Sequence, residues 1–165
     1  MALLQIAEPG QSSNPHEHRL AAGIDLGTTN TMVASVQSGK ATVLKDEAGK
    51  ATIPSVVRYY DNQPPIVGQK ALDEASQAPE STIISVKRFI GRRLSDVRRS
   101  FTHLPYRLTE TDAGVPVFHT DAGERNAVQV SADVLKAAQH RAEAHLGGEL
   151  TGVVITVPAY FDDAQ

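Results

Sequence analysis

Leu20, Ala22, Ile24 and Leu26 alternate with Ala21, Gly23, Asp25 and Gly27, a period of two that predicts a strand over about 19–26 with one apolar face. Two more strands are expected at about 31–37 and 41–45, the second turn being Ser38-Gly39-Lys40. Residues 53–60 read as a strand whose proline, Pro54, lies near its start, where a missing N–H is tolerated. The pattern then turns helical. A short helix is expected over 69–78, stopped by Pro79, and a second over 82–94, interrupted by Gly91. Ser95 reads as the N-cap of a third, with Val97, Phe101 and Leu104 on one face at i, i+4 and i+7. Residues 106–108 and 115–120 flank a predicted hairpin turn at 109–114. Further on, Ser131 is the expected cap of a helix, with Asp133 in its first turn, favourable against the helix dipole. Val134, Leu135, Ala138, Ala142 and Leu146 supply its buried stripe, and Gly147-Gly148 stops it. Residues 152–157, Gly-Val-Val-Ile-Thr-Val, predict a central strand covered on both faces.

Composition narrows the class. The chain has 165 residues, 41% hydrophobic and 21% charged, which suits a globular domain with a real core and not a disordered segment. A net charge of -3 argues against nucleic acid as the main partner. With no cysteine, disulfides and thiolate metal sites are excluded. No run approaches the roughly 18 apolar residues of a membrane span. Met1-Ala-Leu-Leu-Gln-Ile6 lacks the basic lead and the length of a signal peptide, so a cytoplasmic location and no membrane partner are expected. Residues 1–18 read as a flexible N-terminal segment, rich in turn formers from Glu8 to His18. His16 and His18 lie in this polar tail, and His140 and His145 diverge on a helix, so the histidines read as solvated rather than ligating. Asp162-Asp163-Ala164-Gln165 resembles a helix cap and first turn with no helix behind it, and a longer protein is expected.

The densest candidate chemistry lies in residues 23–30, Gly-Ile-Asp-Leu-Gly-Thr-Thr-Asn. A turn rich in backbone N–H groups and hydroxyls suits phosphate oxygens, and a nearby carboxylate suits the magnesium that accompanies them. An ordinary β-turn stays open as an alternative, since Gly, Thr and Asn populate turns for their own reasons. The next element is a strand, whereas P-loop and dinucleotide folds place a helix there, and no Gly-Lys-Ser/Thr ending is present. A phosphate here would receive no helix dipole from the element after the turn. Lys87, Arg88, Arg92, Arg93, Arg98 and Arg99 read either as a solvated basic face or as a patch for an acidic partner.

Three separated motifs carry a family resemblance. Residues 22–30, Ala-Gly-Ile-Asp-Leu-Gly-Thr-Thr-Asn, resemble the first phosphate loop of the actin-like ATPases. Residues 85–93, Ser-Val-Lys-Arg-Phe-Ile-Gly-Arg-Arg, resemble the lysine-bearing helix of the seventy-kilodalton heat-shock chaperones, the DnaK-like proteins. Residues 154–161, Val-Ile-Thr-Val-Pro-Ala-Tyr-Phe, followed by Asp163 and Gln165, resemble the strand that leads into that family's next helix. Residues 53–57 and 67–69 match as well, so the resemblance covers nearly all of 19–165 in order and spacing. Within the family, the lead-in before the first strand and the ending with Asp162 are most similar to the HscA-type branch, specialised for iron–sulfur cluster assembly.

The resemblance implies an α/β chain: the first lobe of an actin-like (ribonuclease H-like) ATPase, a mixed sheet with helices plus an inserted α+β subdomain. Residues 19–52 and 128–165 would form an incomplete base subdomain and 53–127 the insert. By the match, Asp25 would hold Mg2+ or a bound K+, largely through waters. Gly27, Thr28, Thr29 and Asn30 would contact the phosphates of ATP or ADP, with Arg88 assisting. Lys87 would be the catalytic cation, reaching the γ-phosphate and the attacking water. Pro158 and Tyr160 match a relay that carries nucleotide state toward a peptide-binding domain. The implied partners are a J-domain co-chaperone, an iron–sulfur scaffold protein and client peptides held by a C-terminal domain that is not in this sequence. The activity implied for the full-length protein is ATP hydrolysis, with this fragment alone inactive. A general DnaK-type folding chaperone, a sugar or acetate kinase of the same superfamily, and a non-catalytic docking module are the competing readings.

Overall fold

The alternation at 20–26 is realised as β1, Ala21–Asp25, with Ala22 and Ile24 buried and Ala21, Gly23 and Asp25 exposed. The computed structural model describes residues 20–157. In it β1 pairs antiparallel with β2, Asn30–Gln37, which pairs in turn with β3, Lys40–Val43, and with β4, Thr52–Pro54. On its other side β1 pairs in parallel with β11, Gly152–Thr156, in the register Asp25 opposite Thr156. The inner face of this sheet carries Ala22, Ile24 and Val33, joined by Leu44 and Ile53. They pack on Ala138 and Ala142 of α3, the helix Ala127–Leu146.

Residues 53–60 do not form one strand. The chain leaves the first sheet at the end of β4 and starts β5, Val56–Tyr60, in a second one, with Ser55 at the crossing. That second sheet has the order β6-β5-β7, where β6 is Gln63–Val67 and β7 is Thr82–Ile84. Pro64 and Pro65 hid β6 from a sequence reading, and its edge position explains how it tolerates them. The helix expected over 82–94 is replaced by β7, a 3-10 helix at Val86–Phe89 and a turn. Two causes are visible. The β-branched Thr82, Ile83 and Ile84 pair with β5, and Ser85 is left-handed at φ 56°, which stops any continuous helix. The first predicted helix shortens to α1, Gln69–Asp73, and the third is α2, Leu94–Ser100, where Arg93 and not Ser95 is the N-cap.

A third sheet, β10-β9-β8, comprises Gly123–Asn126, Pro116–Thr120 and Leu108–Glu110. Its β8–β9 pair is the expected hairpin, shifted by about two residues. Phe118 from this sheet is fully buried and meets Phe89 and Tyr106 edge-on, at ring centroid distances of 5.1 and 5.3 Å. These rings join Val57, Tyr59, Val86, Val97, Val130 and Val134 in the larger of two cores, which also takes in Leu26.

α3 begins four residues before the expected cap. Asn126 accepts from the Gln129 N–H, and the Gln129 side chain accepts from the Asn126 N–H, both at 2.9 Å, a complete capping box. Ser131 lies inside the helix and donates to the Ala127 carbonyl at 2.7 Å. Asp133 is therefore outside the first turn, and it accepts a hydrogen bond from the Tyr59 hydroxyl at 2.7 Å. Gly147 ends the helix at φ 76°, as the glycine pair predicts. Among the described residues the last strand differs from the expected central strand in its cover: β11 pairs with β1 alone, and α3 covers one face of the sheet. Val154 on the other face is 71% exposed, and Val153 and Ile155 are only about half covered.

Asn126→Ala costs about 1 kcal/mol in urea unfolding, whereas Ser131→Ala costs distinctly less. Burial, then the hydrogen bond and the negative charge of Asp133, raise the Tyr59 pKa far above its ordinary value of 10.0. The folded chain therefore keeps this proton at pH values where the unfolded chain releases it. Stability is full below about pH 10 and falls as the pH rises beyond it. Alkaline melting curves of Tyr59→Phe should show a shallower fall than those of the unaltered chain.

Candidate functional site

Residues 26–29 connect β1 to β2, and their peptide groups are sorted by direction. The Leu26 carbonyl accepts from Lys87 Nζ at 2.6 Å. The Gly27 carbonyl accepts from Ser55 Oγ at 2.9 Å, and the Thr29 carbonyl accepts from the Ser55 N–H at 2.8 Å. Among the described residues the N–H groups of Gly27, Thr28 and Thr29 make no hydrogen bond. Three carbonyls are thus tied back to residues 55 and 87, and three successive amide donors are left over. Thr28 is half-buried, while Thr29 and Asn30 are exposed. Such a run of successive unbonded N–H groups suits anionic oxygens. Gly27 is needed for closeness, not for an unusual φ. A Cβ built there would lie 2.0 Å from the Asn30 carbonyl oxygen.

Lys87 reaches this turn from the second sheet's side of the molecule. It rides on the 3-10 helix Val86–Phe89, fixed below by buried Val86 and Phe89 and entered through left-handed Ser85. The Ser85 N–H donates to the Ser55 carbonyl at 3.1 Å. Arg88, next along, stays exposed and has no side-chain hydrogen bond or ion pair among the described residues, so it is not brought to the turn. Asp25 stands at the end of β1 on the exposed face, and its Oδ1 accepts from Thr156 Oγ1 at 2.8 Å. Its Oδ2 has no hydrogen bond among the described residues. Pro158 and Tyr160 lie outside the described residues.

The donor set fits a magnesium-bound polyphosphate in kind. A single carboxylate with one oxygen uncommitted suits Mg2+ held mainly through water. Among the described residues no group of three or more acidic or histidine side chains is arranged around a common metal position, so a metal cage built by side chains alone is not offered. The turn amides, the threonine hydroxyls and the Lys87 ammonium are the donors that phosphate oxygens take. Two participants escaped the sequence reading. Ser55 had a faint trace, as the lone hydroxyl between Ile53-Pro54 and Val56-Val57. Thr156 had a clearer one, the single polar residue in its apolar run, but its partnership with Asp25 depends on a parallel register that spacing does not reveal.

Because the turn closes on itself at Gly27, Gly27→Ala should destabilise by about 1–3 kcal/mol as the added carbon pushes the Asn30 carbonyl away. Gly152→Ala is the matched control, since nothing lies within 4 Å of its added carbon, and urea unfolding should find it nearly neutral.

A family model described as Hsp70 protein matches residues 21–165. The chain is 62% identical over its 165 residues to the "Chaperone protein HscA homolog" of Vibrio parahaemolyticus, covering 100% of this chain and 27% of that protein. The proteins of the same description in Vibrio cholerae and Shewanella frigidimarina are each 58% identical over 165 residues, with 27% and 26% of their lengths covered. The chain thus spans about a quarter of the length of these relatives.

Proposed function

We propose a function from the premise that the chain belongs to the Hsp70 family: it forms the first part of the ATP-binding and hydrolysing domain of an HscA-like chaperone. Its relatives carry that chaperone description along this chain's whole length. The mixed α/β architecture is that of the family's actin-like ATPase domain. In the finer division we assign 19–52 and 128–165 to a base subdomain and 53–127 to an insert, as part of a longer chain. The full-length protein would use ATP state to control peptide binding during iron–sulfur protein maturation, with a J-domain co-chaperone and a scaffold protein as partners. Pro158 and Tyr160 belong to the same proposal as parts of its relay.

The observation that carries the reading is the sorted turn, with three amide donors free and the carbonyls held by Ser55 and Lys87. MgATP supplies the γ-phosphoryl group, and the metal neutralises part of its charge. The backbone N–H groups of 27–29, with the Thr28 and Thr29 hydroxyls and Asn30, hold the phosphate oxygens. Each such bond to a charged oxygen contributes about 1.5–3 kcal/mol, so a few suffice without a helix dipole. Asp25 would hold the metal, mainly through water, with K+ as a second cation of the same oxygen-donor chemistry. Lys87 moves its ammonium from the Leu26 carbonyl to the charge that develops on the γ-oxygens, and it steadies the attacking water.

Lys87→Ala in the full-length protein should leave nucleotide affinity within about threefold and slow hydrolysis by about a hundredfold or more, the usual consequence of losing one transition-state donor. Single-turnover assays beside equilibrium nucleotide titration check both halves. Normal turnover in this variant would refute the assignment, and turnover that depends on an added sugar would transfer the chain to the kinases.

A further inference from the structure

Ser55 sits where the chain crosses from the first sheet to the second, and each of its polar groups is engaged across that crossing. Its N–H donates to the Thr29 carbonyl at 2.8 Å, and its Oγ donates to the Gly27 carbonyl at 2.9 Å. Oγ also lies 3.0 Å from Thr31 Oγ1, and the Ser55 carbonyl accepts from the Ser85 N–H at 3.1 Å. The residue is 2% exposed and Thr31 is fully buried. Four hydrogen bonds of one residue therefore reach both the turn at 26–29 and the left-handed residue two positions before Lys87.

We infer that Ser55 is a positioning residue for ATP hydrolysis: it fixes the spacing between the phosphate-binding turn and the Lys87 ammonium. The inference rests on the ATPase reading above. The physical reasoning starts from how Lys87 is carried. Its short 3-10 helix gains rigidity from Phe89 and Val86 in the aromatic core, which draws on the second and third sheets and α3 and reaches the first sheet's turn only through Leu26 at its root. The turn belongs to the first sheet. Transition-state stabilisation by Lys87 depends on the relation between these two bodies, and a misplacement near 1 Å is enough to cost about a hundredfold in rate. Backbone bonds at Ser55 join the bodies, while its hydroxyl pulls the Gly27 carbonyl inward and so aims the amides of the turn outward. Without the hydroxyl, Gly27 loses its donor and the turn can rotate relative to Lys87. Ground-state nucleotide binding, shared among many contacts, is less sensitive to that rotation than the reaction step is.

The test uses the full-length protein, with single-turnover MgATP hydrolysis, equilibrium nucleotide affinity and thermal melting measured on each variant. Ser55→Ala should slow hydrolysis by about ten- to a hundredfold while nucleotide affinity stays within about threefold. Leu44→Ala, a cavity in the other core, which contains none of Leu26, Val86 and Phe89, should lower the melting temperature at least as much and leave hydrolysis within about twofold. The inference is overturned if Ser55→Ala hydrolyses at the unaltered rate, or if Leu44→Ala is slowed as much as Ser55→Ala. Lys87→Ala in the same series separates the two levels. If the unaltered protein hydrolyses ATP and Lys87→Ala does not, the ATPase reading stands whatever Ser55 shows. An unaltered protein without ATPase activity removes both.

Discussion

A hairpin turn offers its amide protons to an anion only when its own carbonyl oxygens are kept out of the way. In this chain that constraint is met from outside the hairpin, by the Ser55 N–H and hydroxyl and the Lys87 ammonium on the carbonyls of residues 29, 27 and 26. The alternative used by P-loops is a following helix, whose dipole supplies the positive end. β2 takes that place here, so positive charge has to be imported. Lys87 imports it from a residue 61 positions away. Its approach requires β7 to end at a left-handed serine, because a helix through 82–94 would turn the lysine on a different pitch.

That dependence explains an otherwise odd distribution of cores. Leu26, at the root of the turn, packs in the cluster of Phe89 and Phe118 and not in that of its own strand neighbours Ala22 and Ile24. The turn and the lysine are consequently braced by the same side chains. α3 spans both clusters, with Val130 and Val134 in one and Ala138 and Ala142 in the other, so a single capped helix holds the two parts in register. The opposite face of the first sheet is another matter. Val36 and Val154 are each 71% exposed there, and a groove of about 610 Å³ runs past Ala21, Gly23, Ala34 and Ala41.

Residues that repeat with a clear period were legible in the sequence. β1 and its inward and outward faces, the β8–β9 hairpin and the glycine stop of α3 follow from alternation and turn chemistry alone. What failed was local competition. Ser131 is a good cap by type, but Asn126 and Gln129 form a two-way box upstream. The stretch 82–94 has helical spacing, but three β-branched residues found a strand partner in β5. At the site, Asp25, the turn and Lys87 were readable as residue types, and the family resemblance supplied their pairing. Ser55 and Thr156 were not readable, since their meaning lies in contacts 28 and 131 residues distant.

The most direct test is a crystal structure of the full-length protein with Mg2+ and a non-hydrolysable ATP analogue. Phosphate oxygens are expected within hydrogen-bond distance of the N–H groups of residues 27–29, the metal's waters on Asp25, and Lys87 Nζ moved from the Leu26 carbonyl to the γ-phosphate. Ser55 should keep its bonds to residues 27, 29 and 85. Phosphates bound away from this turn, or a Lys87 that stays on Leu26 with the γ-phosphate in place, would contradict the assignment.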